Sequence, residues 1–259
     1  MSERTDSNLS NIRHSLSHLL AAAVLKKHPD TKLGIGPVVD NGFYYDFLFS
    51  KPVSDSDLKD MEKEMRSLIA KKIEFQKEAI TLAEAKKLFK DQPFKLELAE
   101  EYASEGKELT IYRSGDFTDL CEGGHVKDTS EINPEGFKLT KLAGAYWHGD
   151  EKNPQLTRVY GLVFESKKEL DNHLKMLEEA EKRDHKKLGP QLDLFTFSPL
   201  VGAGLPLWTP KGTILRNLLD DFVWNLRRAR GYEQVDIPHL AKKELYEKSG
   251  HWDKFKNEL

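Results

Sequence analysis

Cys121 is the only cysteine in 259 residues. That scarcity excludes an internal disulfide framework and fits a reducing, cytoplasmic setting. Long apolar runs are missing too. The longest, Leu19 to Leu25, falls far short of the ~20 residues that span a bilayer. The opening Met1-Ser2-Glu3-Arg4-Thr5-Asp6 is too polar for a secretory signal. Neither sign of charge dominates, because 40 Lys and Arg face 43 Asp and Glu, a net charge of -3. No global basic signature therefore points to nucleic acid, and any RNA contact has to be local. Internal repeats, low-complexity tracts and a His-Glu-x-x-His sequence are also absent, so a zinc protease is unsupported. What is present is ordinary soluble composition, long enough for one large domain or two modest ones.

Chemistry-bearing residues concentrate in two short stretches. Arg13-His14-Ser15-Leu16-Ser17-His18 places two histidines at i and i+4, on one face of a helix. Asp119-Leu120-Cys121-Glu122-Gly123-Gly124-His125 places Cys121 and His125 at the same spacing across a glycine turn. Together His14, His18, Cys121 and His125 form a set that can ligate zinc or line a catalytic pocket. Taken singly, a His-x-x-x-His pair is often coincidental and a lone cysteine is often an inert core thiol.

The surrounding pattern supports a shared pocket. A first helix is expected from near Ser7 or Asn8 to before Pro29. Ile12, Leu16, Leu19, Leu20 and Ala23 occupy one side at 100° per residue, and His14 and His18 sit opposite beside Ala21 and Leu25. A helix apolar on both sides is covered on both sides, so the histidines face a second surface. Residues 32–49 read as two strands around Asp40-Asn41-Gly42, with the glycine expected to take the positive φ. A helix over residues 54–72, a strand over 73–80 and a capping box at Thr81-Leu82-Ala83-Glu84 follow. Leu109 to Cys121 reads as extended, with Phe117, Asp119 and Cys121 alternating onto one face. Two more strands are expected over 137–147 and 155–164, and a charged helix over 166–187 that ends at Gly189-Pro190. A domain boundary is placed there, giving domains 1–187 and 188–259. Beyond it come a Pro/Gly-punctuated loop, a helix over 213–230 and a strand over 233–238. Lys182, Arg183, Lys186 and Lys187 read as a solvated helix end or as a local phosphate contact. Arg227, Arg228 and Arg230 read as an exposed face beside a buried one.

The segments "RHSLSHLLAAAVLKKHPDTKLGIGPVVDNGFYYDF" and "DFTDLCEGGHVKDT" resemble the editing domain shared by threonyl- and alanyl-tRNA synthetases. "KLAGAYWHGDEKNPQLTRVYG" is similar to the stretch that follows in that family. "RDHKKLGPQLDLFTFSPLVGAGLPLWTPKGTILR" and "GYEQVDIPHL" resemble the entry into the threonyl-tRNA synthetase catalytic domain. The resemblance implies an α+β fold: a threonyl/alanyl-tRNA synthetase-type editing domain followed by an incomplete class II synthetase antiparallel-sheet domain. It implies hydrolysis of seryl-tRNA(Thr) by a pocket in which His14, His18, Lys95, Asp119, Cys121 and His125 act. Tyr45 and Asp119 would contact the substrate, and His14, His18, Cys121 and His125 can hold zinc. Editing itself is expected to need no cofactor, while ATP and Mg serve only the full-length ligase.

The implied partners are tRNA(Thr) with its aminoacylated 3′ end and, for the full-length enzyme, a second copy; no membrane and no DNA are implied. Nothing after Pro238 matches the two later class II motifs, and the threonine-selecting zinc site of the synthetic pocket is absent. The chain is therefore expected to be a fragment that does not ligate threonine to tRNA. Two other readings stay open: a non-catalytic tRNA-binding or dimerising remnant, and a free-standing editing factor. The block from Arg183 onward argues against the second.

Overall fold

The computed structural model describes residues 2–202, 204–238 and 241–255. Its long opening helix, α1 (Ser2–Lys27), starts earlier than the apolar periodicity predicts and stops just before His28-Pro29, where the proline disfavours further helix. Both long sides of α1 are covered as expected: Leu16, Leu19, Leu20 and Ala23 are buried, and so are Ala21 and His18.

An antiparallel sheet lies under α1. Its strands are β1 (Lys32–Leu33), β2 (Val38–Val39), β3 (Gly42–Leu48), β7 (Phe137–Tyr146) and β8 (Gln155–Val163). The order is β1-β3-β8-β7, and β2 also pairs with β3. At the β2–β3 turn the positive φ falls on Asn41 (61°), not on the glycine. Asparagine tolerates that conformation, whereas Gly42 serves close approach, since a Cβ there would lie 2.0 Å from the Gly161 carbonyl oxygen. Alternate residues Phe43, Tyr45 and Phe47 point to one face and pack with Val159 and Phe137 under α1 and α2 (Asp55–Ile69). α2 opens with the Ser54/Asp57 capping box and buries Leu58, Met61, Met65 and Ile69.

A second antiparallel sheet, β4 (Phe75–Ile80), β5 (Leu109–Ser114) and β6 (Phe117–Leu120), is ordered β4-β5-β6. The single extended stretch expected over 109–121 is thus a hairpin. Gly115, with φ of 62°, makes the turn. Two helices, α3 (Leu82–Leu88) and α4 (Pro93–Ser104), pack on a separate apolar cluster that includes Phe89, Phe94, Leu98, Ile111 and Trp147. Thr81 and Glu84 form the anticipated capping box of α3. The fold of this part is α+β with antiparallel sheets.

The chain divides into two compact units, one up to Glu179 and one from Ala180 onward. α5 (Lys167–Lys182) ends earlier than expected, and α6 (His185–Gln191) runs through Gly189-Pro190. Asp184 caps α6 by accepting from Lys186 N, which puts the break at Arg183-Asp184. Pro190 lies inside α6, where its missing N–H forgoes one i→i−4 hydrogen bond.

The second unit continues with the short hairpin β9 (Phe195–Thr196) and β10 (Leu207–Trp208), then α7 (Pro210–Arg228), α8 (Lys243–Lys248) and α9 (His251–Phe255). α7 leaves Ile214, Leu218, Leu219 and Phe222 about 60% exposed. The strand expected over 233–238 is not formed; Val235 and Ile237 are exposed and no described strand pairs with them. A strand exists only through its ladder partner. No helix among the described residues is long and apolar enough to cross a membrane.

Candidate active site

Three parts of the first unit converge on one polar cluster. α1 brings His14 and His18 one turn apart, held over the second sheet by the apolar packing of both its sides. β6 alternates Phe117 and Asp119 inward, and Phe117 meets the His18 ring edge-on at 5.9 Å. The ladder continues one step as Cys121 N donates to Thr110 O. Gly123 and Gly124 then take φ of 137° and 85°, a reversal that residues with a Cβ resist. His125 returns and stacks on His14 at 4.2 Å and on Phe75 at 4.9 Å.

The ligand atoms of His14, His18, Cys121 and His125 all lie within 4.8 Å of one another. Cys121 Sγ is 3.2 Å from His125 Nε2 and 3.5 Å from His14 Nε2. Beside this cluster sits a buried charge pair. Lys95, in the first turn of α4, is 2.5 Å from Asp119 Oδ1, and both residues are almost wholly buried. The Tyr45 hydroxyl, reaching across from β3, donates to Asp119 Oδ2 at 2.5 Å. His18 Nε2 lies 3.9 Å from the same oxygen. All seven residues singled out in the sequence therefore meet.

The electrostatics follow from burial. Loss of water holds the His14 imidazole below its ordinary range, although the Gly123 backbone pulls the other way. Desolvation drives His18 well below it, helped by His14 and Lys95. His125 is lowered by desolvation and then by the other two histidines. Burial also pushes the Cys121 thiol up to about 12 and the Tyr45 phenol well above 10, the latter with Asp119 adding to it. At neutral pH the site therefore presents three uncharged imidazoles and a thiol.

The donor set suits zinc in kind, with three nitrogens and one sulfur. Tetrahedral bonding needs ligand atoms roughly 3.3–3.8 Å apart. The Cys121–His14 separation of 3.5 Å meets that, the Cys121–His125 one of 3.2 Å falls just short of it, and the widest separation in the set requires contraction of about 1 Å from 4.8 Å. His14, His18, Cys121 and His125 would hold the ion, which would supply Lewis acidity.

Sequence reasoning missed Ser15. Its buried hydroxyl bridges His125 Nδ1 and Val126 N, each at 3.1 Å. It also missed Phe75 and Tyr112, whose rings flank His125 at 4.9 and 4.4 Å. Lys77 was missed as well; it steadies the Cys121–His125 turn by donating to Glu122 O at 3.0 Å. A serine between two histidines carries no distinguishing signal, since only the fold brings residue 125 to it.

Residues 109–160, which include Asp119, Cys121 and His125, match the Threonyl and Alanyl tRNA synthetase second additional domain. The threonine–tRNA ligase of Gloeobacter violaceus is 48% identical over 97% of this chain and 40% of its own length. That of Staphylococcus carnosus is 45% identical over 98% of this chain and 39% of its own. For Thermotoga maritima the figures are 46%, 94% and 38%. The chain spans about two fifths of the length of these relatives and matches their N-terminal part. By sequence, then, it is a homologue of the threonine–tRNA ligases that carries the second additional domain they share with alanyl-tRNA synthetases.

Proposed function

We propose that the pocket is an editing site that hydrolyses the ester of seryl-tRNA(Thr). The observation that carries the reading is a buried acceptor set beside a buried donor. His18 Nδ1 is buried without a hydrogen-bond partner, and His18 and Lys95 both approach Asp119. A buried polar atom left unpaired calls for a water or ligand group. An imidazole acceptor beside an ammonium donor is what a positioned, activated water requires.

Threonine exceeds serine by one methyl, which yields only about 1–3 kcal/mol of discrimination, so a ligase needs a second sieve. In that sieve an uncharged imidazole takes the proton of the attacking water. Lys95 uses one of its three donors on Asp119 and offers the others to the developing oxyanion. Asp119 anchors Lys95 and Tyr45; an incoming serine amino group reaching Oδ2 would compete with the Tyr45 hydroxyl. His14, Cys121 and His125 wall the pocket, with zinc not required for hydrolysis.

The chain beyond residue 187 is proposed as the beginning of a class II antiparallel-sheet domain. tRNA(Thr) is the proposed partner of a cytoplasmic enzyme that, as a whole, dimerises and uses ATP. The test is deacylation by the purified chain. Seryl-tRNA(Thr) should be cleaved and threonyl-tRNA(Thr) spared. Cleavage of neither ester above its spontaneous rate refutes the reading.

A further inference from the structure

Ser15 gives the hydrogen bonds around the histidine cluster a direction. Ser15 is fully buried on α1, and its Oγ accepts the Val126 N–H at 3.1 Å. Its own proton needs an acceptor, and His125 Nδ1 stands 3.1 Å away. Were Nδ1 protonated instead, the serine would accept twice and bury its hydroxyl proton unpaired, a cost comparable to a lost hydrogen bond. Donation from Ser15 leaves the neutral His125 ring with its proton on Nε2, facing Cys121 Sγ at 3.2 Å. The thiol then turns its proton to His14 Nε2 at 3.5 Å, the nearer of its two acceptors, Gly123 O standing 3.9 Å away.

Val126 N–H, Ser15 O–H, His125 Nε2–H and Cys121 S–H thus form one head-to-tail series. His14 and His125 are both committed within it. Among the described residues, the buried imidazole nitrogen without a hydrogen-bond partner is His18 Nδ1.

We propose that Ser15 is a positioning residue: by donating to His125 Nδ1 it fixes the tautomer of that ring and, through Cys121, leaves His14 Nε2 as an acceptor. If the series ran backwards, His125 Nε2 would become an acceptor aimed at Cys121, and His14 Nε2 would lose its donor. The kinetic part of this proposal rests on the editing reading; the tautomer part does not.

The test combines two measurements on the full chain in chelator-treated buffer. Long-range proton–nitrogen correlation of labelled histidines reads the tautomer of His125 without substrate. In the parent and in Ser15→Thr, His125 should carry its proton on Nε2. In Ser15→Ala it should become a tautomer mixture. Ser15→Cys, a weaker donor of similar size, should shift the same way and stands in if the alanine variant does not fold. Deacylation of seryl-tRNA(Thr) should lose about tenfold in kcat in Ser15→Ala with KM unchanged, and Ser15→Thr should restore it. An Nδ1–H tautomer in the parent, or an unchanged tautomer in Ser15→Ala, overturns the proposal. If the tautomers behave as stated while no protein cleaves the ester, the editing reading fails and the Ser15 assignment stands.

Discussion

The Tyr45 hydroxyl donates a 2.5 Å hydrogen bond to Asp119 although the two residues belong to different sheets. Tyr45 leaves the five-stranded sheet and Asp119 the three-stranded one, and Lys95 of α4 takes the other carboxylate oxygen. One buried carboxylate therefore ties two sheets and a helix together beside the histidine cluster. That single relationship makes the site depend on the integrity of the whole unit.

Removing Lys95 strands this carboxylate. Lys95→Ala should cost about 3–5 kcal/mol of stability, because it leaves an unpaired buried charge, and it should abolish seryl-tRNA(Thr) deacylation. Tyr45→Phe removes a single donor and should cost about 1–3 kcal/mol. Lys95→Met combined with Asp119→Leu should regain most of the stability but none of the activity. Urea unfolding of the three proteins, with a deacylation assay on each, checks the pattern. Equal stability of parent and Lys95→Ala would contradict it.

A methyl group at position 36 should disturb the site without touching it chemically. A Cβ on Gly36 would fall 2.3 Å from the Tyr45 ring, which is fully buried and cannot yield. Gly36→Ala should cost about 1–3 kcal/mol through overpacking. It should also lower deacylation by displacing the hydroxyl from Asp119. Normal activity with a normal urea midpoint would count against the stated geometry.

Acid should destabilise the first unit from about pH 6.5 downward. Desolvation lowers the folded-state values of His14, His18 and His125 below the 6.5 of the open chain. The unfolded state then binds more protons than the folded one, so stability rises with pH in this window and is fully present above it. Each histidine contributes a slope of about 1.4 kcal/mol per pH unit below 6.5, continuing down to its folded value. Denaturant midpoints at pH 7.5 and 5.5 should show the lower value at 5.5. For the same reason the acid limb of the deacylation profile should lie below pH 6.5.

Chelation should leave deacylation intact. The pocket presents neutral imidazoles, a thiol, and a Lys95–Asp119 pair that supplies charge stabilisation without an ion. Metal analysis finding one tightly held zinc per chain, with activity lost in chelator, would reverse this expectation.

The apolar stripe of α7 should drive self-association. Ile214, Leu218, Leu219 and Phe222 expose large side chains along one helix of the second unit, and contiguous exposed apolar surface of this kind seeks a partner. Sedimentation velocity over a range of concentrations should show dimers. Leu218→Lys with Phe222→Lys should return the protein to monomer.

Much of the local structure was legible from residue types. The Thr81 capping box, the turn after Asp40 and the glycine reversal before His125 all rest on interactions within a few residues. The misjudgements arose where a local signal had two outcomes. Gly189-Pro190 reads as a stop but lies inside α6, because Asp184 supplies a stronger start just before it. Val235 and Ile237 have strand propensity, but a strand forms only where a partner backbone meets it.

For the site, spacing alone determined that His14 and His18 share a helix face and that Cys121 and His125 can meet across two glycines, since helix pitch and turn geometry are local. Only the tertiary structure decided that these pairs face each other, that Lys95 and Tyr45 share Asp119, and that Ser15 reaches His125. It also decided that the imidazoles stay uncharged. Those properties depend on burial and on contacts between residues far apart in the chain, for which single residues carry no mark.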